Sequence, residues 1–199
     1  MRAGKVMTNR DNKYLRILHA AGVIFAKKGF FYARVTDIAR EADVADGTIY
    51  IYFKNKDDIL IHLFEEIMKT FISKAKEEIG NMDSPQDKLR RFIELHFQMS
   101  QKNPHVAEVI TLELRQSNKF MKEYKNVWFK EYLDVISSII HEGQDKGMFR
   151  NNIHPGIVKR ALFGALDELT LHWSLSKKYS LDECQKEIET LFLNGLKKT

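Results

Sequence analysis

The stretch VADGTIYIYFKNKDDIL, from Val44 to Leu60, decides how the N-terminal part of this chain folds. Its segment GTIYIYF alternates and is rich in β-branched and aromatic residues, which in isolation predicts a strand. The sequence on both sides has helical spacing, and an isolated strand leaves its backbone groups without partners. The context therefore predicts a short helix that buries Ile49 and Phe53, four residues apart, and turns Tyr50 and Tyr52 outward.

The segments around this stretch have the apolar spacing of helices. A first helix is predicted over residues 14–29, and a second over 36–43, with the Thr36 hydroxyl capping its free amides. A turn over residues 42–46 then joins the second helix to the short third one, which is the pattern of a helix-turn-helix. A long amphipathic helix follows from the acidic residues at 57 and 58 to about residue 79.

The rest of the chain is predicted to be helical as well. Five further helices are expected over residues 85–101, 105–115, 119–146, 155–175 and 181–197. The predicted fold class is therefore all-α, with about nine helices in total. We predict two domains: an N-terminal three-helix bundle with a helix-turn-helix over residues 1–56, and a helical ligand-binding and dimerisation domain over residues 57–199.

The positive charge is concentrated near the N-terminus. Residues 1–60 contain 11 Lys or Arg and 7 Asp or Glu, a net charge of +4, out of +5 for the whole chain. This excess favours contact with a polyanion at that end. The sequence has one cysteine, so it cannot form an internal disulfide, and we expect the protein in the cytoplasm. No apolar run reaches the length of a membrane span, so no membrane partner is expected.

The sequence carries no pattern typical of an enzyme. The seven histidines form no HExxH motif and no carboxylate and histidine set at metal-ligand spacing. Glycine-rich phosphate loops are absent, and Cys184 has no predicted base nearby. We therefore expect no catalytic residue, no metal site and no cofactor.

The head of the sequence resembles the DNA-binding domain of the TetR family of bacterial transcriptional repressors. The resemblance covers about fifty residues at unbroken spacing, and its elements stand here as Ala21, Phe25, Gly29, Thr36, Ile38, Ala39, Ala42, Val44, Gly47, Thr48, Tyr50, Tyr52, Phe53, Lys56 and Leu60. It implies a repressor that binds double-stranded DNA.

The resemblance also implies which residues contact DNA. Phosphate contacts are expected from Thr36, Tyr50, Tyr52 and Lys56. Base contacts are expected from Asp46, Gly47, Thr48 and Ile51. Lys5, Arg10 or Lys13 in a leading arm would add further phosphate or minor-groove contacts. The alternatives are a packing role for Tyr50 and a solvated charge for Lys56.

The last two helices carry wide apolar stripes. In the family, such positions form a four-helix bundle between two subunits, which implies a homodimer on a palindromic operator. The predicted interface residues are Leu162, Leu169, Trp173, Leu191 and Phe192. The alternative is that both stripes face the core of their own subunit.

The segments LELRQSN and FGALDELTLHW, together with the head motif, resemble the long-chain acyl-CoA-responsive regulators of fatty-acid degradation known from Bacillus and relatives. This implies a lipophilic effector, a long-chain acyl-CoA, bound in an apolar tunnel. The expected ligand-binding residues are His96, Leu112, Arg115, Trp128, Phe129, Tyr132, Phe163 and Leu166.

Two alternatives to this interpretation stay open. The apolar residues of the middle helices are also what a plain core requires, and Arg115 is equally compatible with an internal pair to Glu113 or Asp167. A repressor of an efflux or stress gene that responds to another lipophilic ligand would have the same head and a similarly apolar body.

Overall fold

A computed structural model describes residues 9–102, 104–116 and 127–198, with side chains described for all of them except 9–11, 105 and 112–116. Contacts divide the chain into a compact unit Met1–Phe64, here called the head, and a second unit Glu65–Thr199, here called the body. The division by contacts falls inside a long helix, eight residues beyond the domain boundary predicted at residue 56.

The head contains three helices and the first part of a fourth. They are α1 (Asn9–Tyr32), α2 (Val35–Glu41), α3 (Asp46–Tyr52) and α4 (Lys56–Ile79). Gly29 interrupts α1 with φ 71° and ψ 155°, a backbone conformation that glycine adopts without steric cost. The segment GTIYIYF is helical, and Ile49 and Phe53 are 1% and 2% exposed, so the predicted helix-turn-helix is confirmed.

The predicted capping of α2 by Thr36 is wrong. Arg34 is the extended residue at the cap position, and Asp37 accepts a hydrogen bond from the Arg34 amide at 3.3 Å. Asp37 also pairs with Lys28 at 2.8 Å and Arg40 at 2.7 Å. The hydrogen bond from Lys28 is the main reason that the pKa of the Asp37 carboxyl lies below its ordinary value. Thr36 lies inside the first turn and is exposed, because the carboxylate one residue later already satisfies the helix start.

The described residues of the body form the remainder of α4 and five further helices. These are α5 (Pro85–Lys102), α6 (Pro104–Gln116), α7 (Val127–Asp145), α8 (Pro155–Ser176) and α9 (Leu181–Leu196). The helix predicted over residues 119–146 is observed from Val127, and residues 119–126 lie outside the described part of the chain. The described residues form nine helices and no named strand, which confirms the all-α prediction.

One core holds the body together. Helices α4, α5, α7, α8 and α9 and the segment after α7 contribute buried apolar side chains to it, among them Phe71, Ile72, Leu89, Phe92, Phe97, Tyr132, Ile136, Phe149, Leu162, Leu166, Leu181 and Ile188. Within the described residues, no helix combines the length and apolar content that crossing a bilayer requires.

The end of α7 is closed by a tight packing of Phe149 on Gly143. Phe149 is 1% exposed, and its amide donates to the Gly143 carbonyl at 2.9 Å. A Cβ at residue 143 would lie 2.0 Å from Cδ2 of Phe149. The glycine is therefore required by the ring and not by its own backbone conformation.

Replacing Gly143 by Ala should lower the free energy of unfolding by about 1–3 kcal/mol, because the added methyl overpacks a buried ring. Urea unfolding followed by circular dichroism measures the change. In a Phe149→Ala background, which removes the ring, the same substitution should be neutral or stabilising. An equal loss in both backgrounds would contradict the packing explanation.

Candidate DNA-binding surface and effector site

The outer face of α3 is the candidate DNA-binding surface. Helical periodicity points Ile49 inward, so the residues beside it are left outside. Tyr50 is 60% exposed and Ile51 is 67% exposed, while Thr48 and Tyr52 are half-buried. Asp46 and Gly47, at the start of the helix, are exposed too.

Tyr14 of α1 packs against the C-terminal end of α3. Its ring stacks on Phe53 at 5.4 Å and lies 6.3 Å from the ring of Tyr52. The Tyr14 hydroxyl is 3.2 Å from Nδ1 of His62 in α4. These contacts explain why Tyr52 is only partly exposed, and they restrict how its phenol can be presented. Tyr14 was not among the predicted site residues, although it lies at the start of the first apolar stripe.

Arg16 fixes the turn between α2 and α3. Its guanidinium donates to the carbonyls of Ala42 at 2.6 Å and Asp43 at 3.0 Å. Asp43 has φ 52°, in the left-handed region, where aspartate is among the better tolerated residues. These two hydrogen bonds were not predicted, because a single arginine on a helix gives no sequence signal for a contact 26 residues away.

Lys56 has a structural role that the sequence analysis did not predict. Its ammonium donates to the carbonyls of Phe30 at 2.6 Å, Phe31 at 3.0 Å and Ala33 at 3.0 Å. It also lies 4.6 Å from the centre of the Phe30 ring. An ammonium has three donors, and these contacts give Lys56 a structural role beside the phosphate contact predicted for it. The position of these carbonyls at the end of α1 provides the reason, since a cation is favourable at a helix C-terminus.

Of the other residues predicted to contact DNA, some lie in the described part of the chain and some lie outside it. Thr36 is exposed at the start of α2. Lys13 lies on α1 and is exposed, so it belongs to a helix and not to a leading arm. Lys5 lies outside the described residues, as does the side chain of Arg10.

The middle of the body contains an aromatic cluster that brings together most of the predicted effector residues. Tyr132 of α7 is its centre, with the rings of Phe71 and Phe92 each at 5.0 Å, and Phe163 at 5.8 Å. Phe129 packs on Phe163 at 4.8 Å. Phe129, Phe163 and Trp128 are half-buried, whereas Tyr132 and Leu166 are fully buried. The side chains of Leu112 and Arg115 lie outside the described part.

A buried hydrogen-bond chain runs through this cluster and links α5, α7 and α8. The Tyr132 hydroxyl is 2.9 Å from Nδ1 of His96, and Nε2 of His96 is 3.2 Å from Oγ1 of Thr170. Burial lowers the pKa of His96 to about 4, so the imidazole is neutral at neutral pH. Burial also raises the pKa of Tyr132 well above its ordinary value. Thr170 was missed, although it follows Phe163 and Leu166 on one helical face.

The predicted dimer residues differ in exposure. Leu162 is 0% exposed and belongs to the core of its own subunit, so its assignment to a dimer surface is wrong. Helical rotation explains this, because Leu162 and Leu166, four residues apart, share the inward face. Leu191 is 64% exposed. Leu169, Trp173 and Phe192 are half-buried and pack against the core with part of their surface.

Helix α2, a tight turn and the exposed helix α3 form a helix-turn-helix, which defines the class of the protein as a helix-turn-helix DNA-binding protein. Sequence comparison narrows the class to a family. Residues 17–63 match the family described as bacterial regulatory proteins, tetR family, and residues 64–195 match YsiA-like protein, C-terminal region. The chain belongs to the TetR family of bacterial regulators.

The likeness to individual relatives extends through both units. The fatty acid metabolism regulator protein of Bacillus subtilis (strain 168) is 36% identical over 191 residues, 96% of this chain and 98% of that protein. The crystal structure of FadR from Bacillus subtilis in complex with stearoyl-CoA matches with a TM-score of 0.85 at 36% identity, over 92% of this chain and 99% of that one. The fatty acid degradation regulator FadR from Bacillus halodurans matches with a TM-score of 0.85 and 36% identity, over 92% of this chain and 100% of that one.

Replacing Lys56 by Met should lower the stability of the head by about 1–3 kcal/mol, because three backbone carbonyls lose a charged donor. Thermal unfolding followed by circular dichroism measures this. Lys54→Met is the matched control, since Lys54 is exposed, and should leave the midpoint unchanged. Equal midpoints for the two variants would show that the Lys56 contacts contribute nothing.

The buried His96 should make stability fall in mild acid. Its pKa is about 4 in the folded protein and 6.5 ordinarily, so between these values the unfolded chain binds a proton that the folded one does not. Stability is therefore complete above pH 6.5 and decreases as the pH falls towards 4, by up to about 3 kcal/mol.

Urea unfolding at a series of pH values tests this dependence. His96→Gln should remove the part due to His96 and so flatten the curve in that range, whereas His141→Gln, at an exposed position of α7, should leave the curve unchanged. A curve of the same slope in His96→Gln and in the wild type would contradict the assignment.

Proposed function

We propose that this protein is a repressor of fatty-acid degradation genes that long-chain acyl-CoA releases from its operator. The observation that carries the proposal is the similarity of head and body together to one regulator, the fatty acid metabolism regulator of Bacillus subtilis. A head alone is widely shared and says nothing of the effector. A solved structure of similar sequence holds stearoyl-CoA, which supports the same class of effector here.

The DNA-binding role is assigned to residues 1–56. In this proposal Tyr50 and Tyr52 donate to phosphates, Thr36 adds a hydroxyl, and the exposed start of α3 approaches the bases. Asp46, Gly47, Thr48 and Ile51 are the base-contacting candidates. Lys56 is a further proposed phosphate contact, at the position where its ammonium also binds the carbonyls at the end of α1. Binding to chromosomal DNA would place the protein in the cytoplasm.

Residues 57–199 are assigned the effector and the subunit interface. A homodimer presents two recognition helices, which suits a palindromic operator with half-sites one helical turn apart. The proposed interface residues are Leu169, Trp173, Leu191 and Phe192, of which Leu191 supports the proposal best through its large exposed surface.

The proposed effector site is the aromatic cluster around Tyr132. Trp128, Phe129, Phe163 and His96 are half-buried and form its accessible side, while Leu166 is fully buried. Arg115 remains the proposed contact for the anionic part of CoA, and Leu112 a proposed apolar contact. Effector binding would favour a dimer whose two heads no longer match the operator, which needs only a few kcal/mol of differential affinity.

The repressor proposal is tested with purified protein and a DNA fragment from its own promoter. Stearoyl-CoA should lower the affinity for DNA by about tenfold or more, measured by fluorescence anisotropy, because the effector binds the DNA-free form more tightly. Stearate and a quaternary ammonium dye are titrated in parallel. Release by the dye and not by stearoyl-CoA would favour a regulator of efflux or stress genes.

The contact of α3 with DNA is tested by Tyr50→Phe, which removes one hydroxyl from an exposed ring. Affinity for the operator should fall roughly threefold to tenfold, the worth of one hydrogen bond, with no change in thermal stability. Tyr179→Phe, at an exposed tyrosine of the body, is the matched control and should bind DNA as the wild type does. Equal affinities for all three proteins would remove Tyr50 from the contact set.

A further inference from the structure

Tyr132, His96 and Thr170 form a hydrogen-bond chain in a region that is otherwise lined by aromatic rings. Tyr132 is 0% exposed and Thr170 is 2% exposed. The rings of Phe71, Phe92 and Phe163 surround the phenol of Tyr132 and offer it no hydrogen-bond acceptor. Keeping three polar side chains at such a place costs desolvation, which their mutual hydrogen bonds offset.

The chain has two possible hydrogen-bond directions, because a neutral imidazole has one donor and one acceptor nitrogen. In the first direction, the Tyr132 hydroxyl donates to Nδ1 and the Nε2 proton faces Thr170. All three side chains then have a partner without any ligand.

In the second direction, Thr170 donates to Nε2, and a proton on Nδ1 is donated to the phenolic oxygen of Tyr132. The phenolic hydrogen is then free for an added acceptor. The reversal exchanges one imidazole tautomer for the other and rotates two hydroxyls, and the net charge does not change. The chain can therefore supply one donor to a ligand without leaving His96 or Thr170 unpaired.

We propose that this chain recognises the thioester carbonyl of a fatty acyl-CoA through the Tyr132 hydroxyl. The inference rests on the proposed function. The alkyl chain of such an effector has no polar atom, and the thioester carbonyl oxygen is the first acceptor beyond it. Among the described side chains, an apolar lining with the Tyr132 hydroxyl as an available donor is complementary to that arrangement. A ligand without the carbonyl gains no hydrogen bond from the Tyr132 hydroxyl, which then continues to donate to His96.

The test compares stearoyl-CoA with S-octadecyl-CoA, a thioether in which a methylene replaces the carbonyl. The readout is the ligand concentration that releases half of the bound promoter DNA. For the wild type, stearoyl-CoA should act at about tenfold lower concentration, the worth of one buried hydrogen bond. Tyr132→Phe should bring the ratio close to one by weakening stearoyl-CoA alone. Thr170→Val, which removes the hydroxyl that supports the second direction, should reduce the ratio as well.

Phe163→Leu is the control, because it alters the wall without touching the donor, and it should weaken both ligands alike. Where a variant no longer binds DNA, the ratio is taken from calorimetric titration of the two ligands. Equal action of both ligands on the wild type, or an unchanged ratio in Tyr132→Phe, would overturn the inference and leave the proposed function standing. Failure of both ligands to release DNA would overturn the proposed function, and the inference with it.

Discussion

The burial of Ile49 and Phe53 is the constraint on which the DNA-binding surface depends. Because these two side chains are buried, the 3.6-residue period of α3 exposes Tyr50 and Ile51 to solvent. Tyr14 stacks on Phe53, and Arg16 holds the turn before the helix, so two residues of α1 set the rotation and the entry of α3.

A second constraint acts in the body, where three polar side chains lie within an aromatic cluster. Buried polar groups are tolerated only when they are hydrogen-bonded, and among the described residues no buried side-chain polar atom lacks a partner. The two ring nitrogens of His96 find their hydrogen-bond partners in Tyr132 and Thr170, which lie on two other helices. The packing of α5, α7 and α8 is therefore specified by hydrogen bonds as well as by side-chain volume.

Much of the fold follows from local pattern. Apolar spacing places most helix ends within a few residues of their observed positions, with the starts of α1 and α7 as exceptions, and the helical context overrides the strand-like composition of GTIYIYF. The capping of α2 was mispredicted because two candidate side chains, Thr36 and Asp37, are adjacent, and only the backbone geometry at Arg34 selects between them. Leu162 was misplaced because a stripe that is apolar over most of its width does not reveal which edge faces the subunit's own core.

By itself, the sequence determined the all-helical class, the helix-turn-helix with its inward and outward residues, and the resemblance to a family of repressors. These depend on residues near one another in the chain, where periodicity and turn chemistry are decisive. Only the tertiary structure assigned Lys56 to the carbonyls at the end of α1, Arg16 to the turn, and Thr170 to His96. Those partners are separated by 23 to 74 residues, and a donor's sequence context carries no information about which distant acceptor the packing will bring to it.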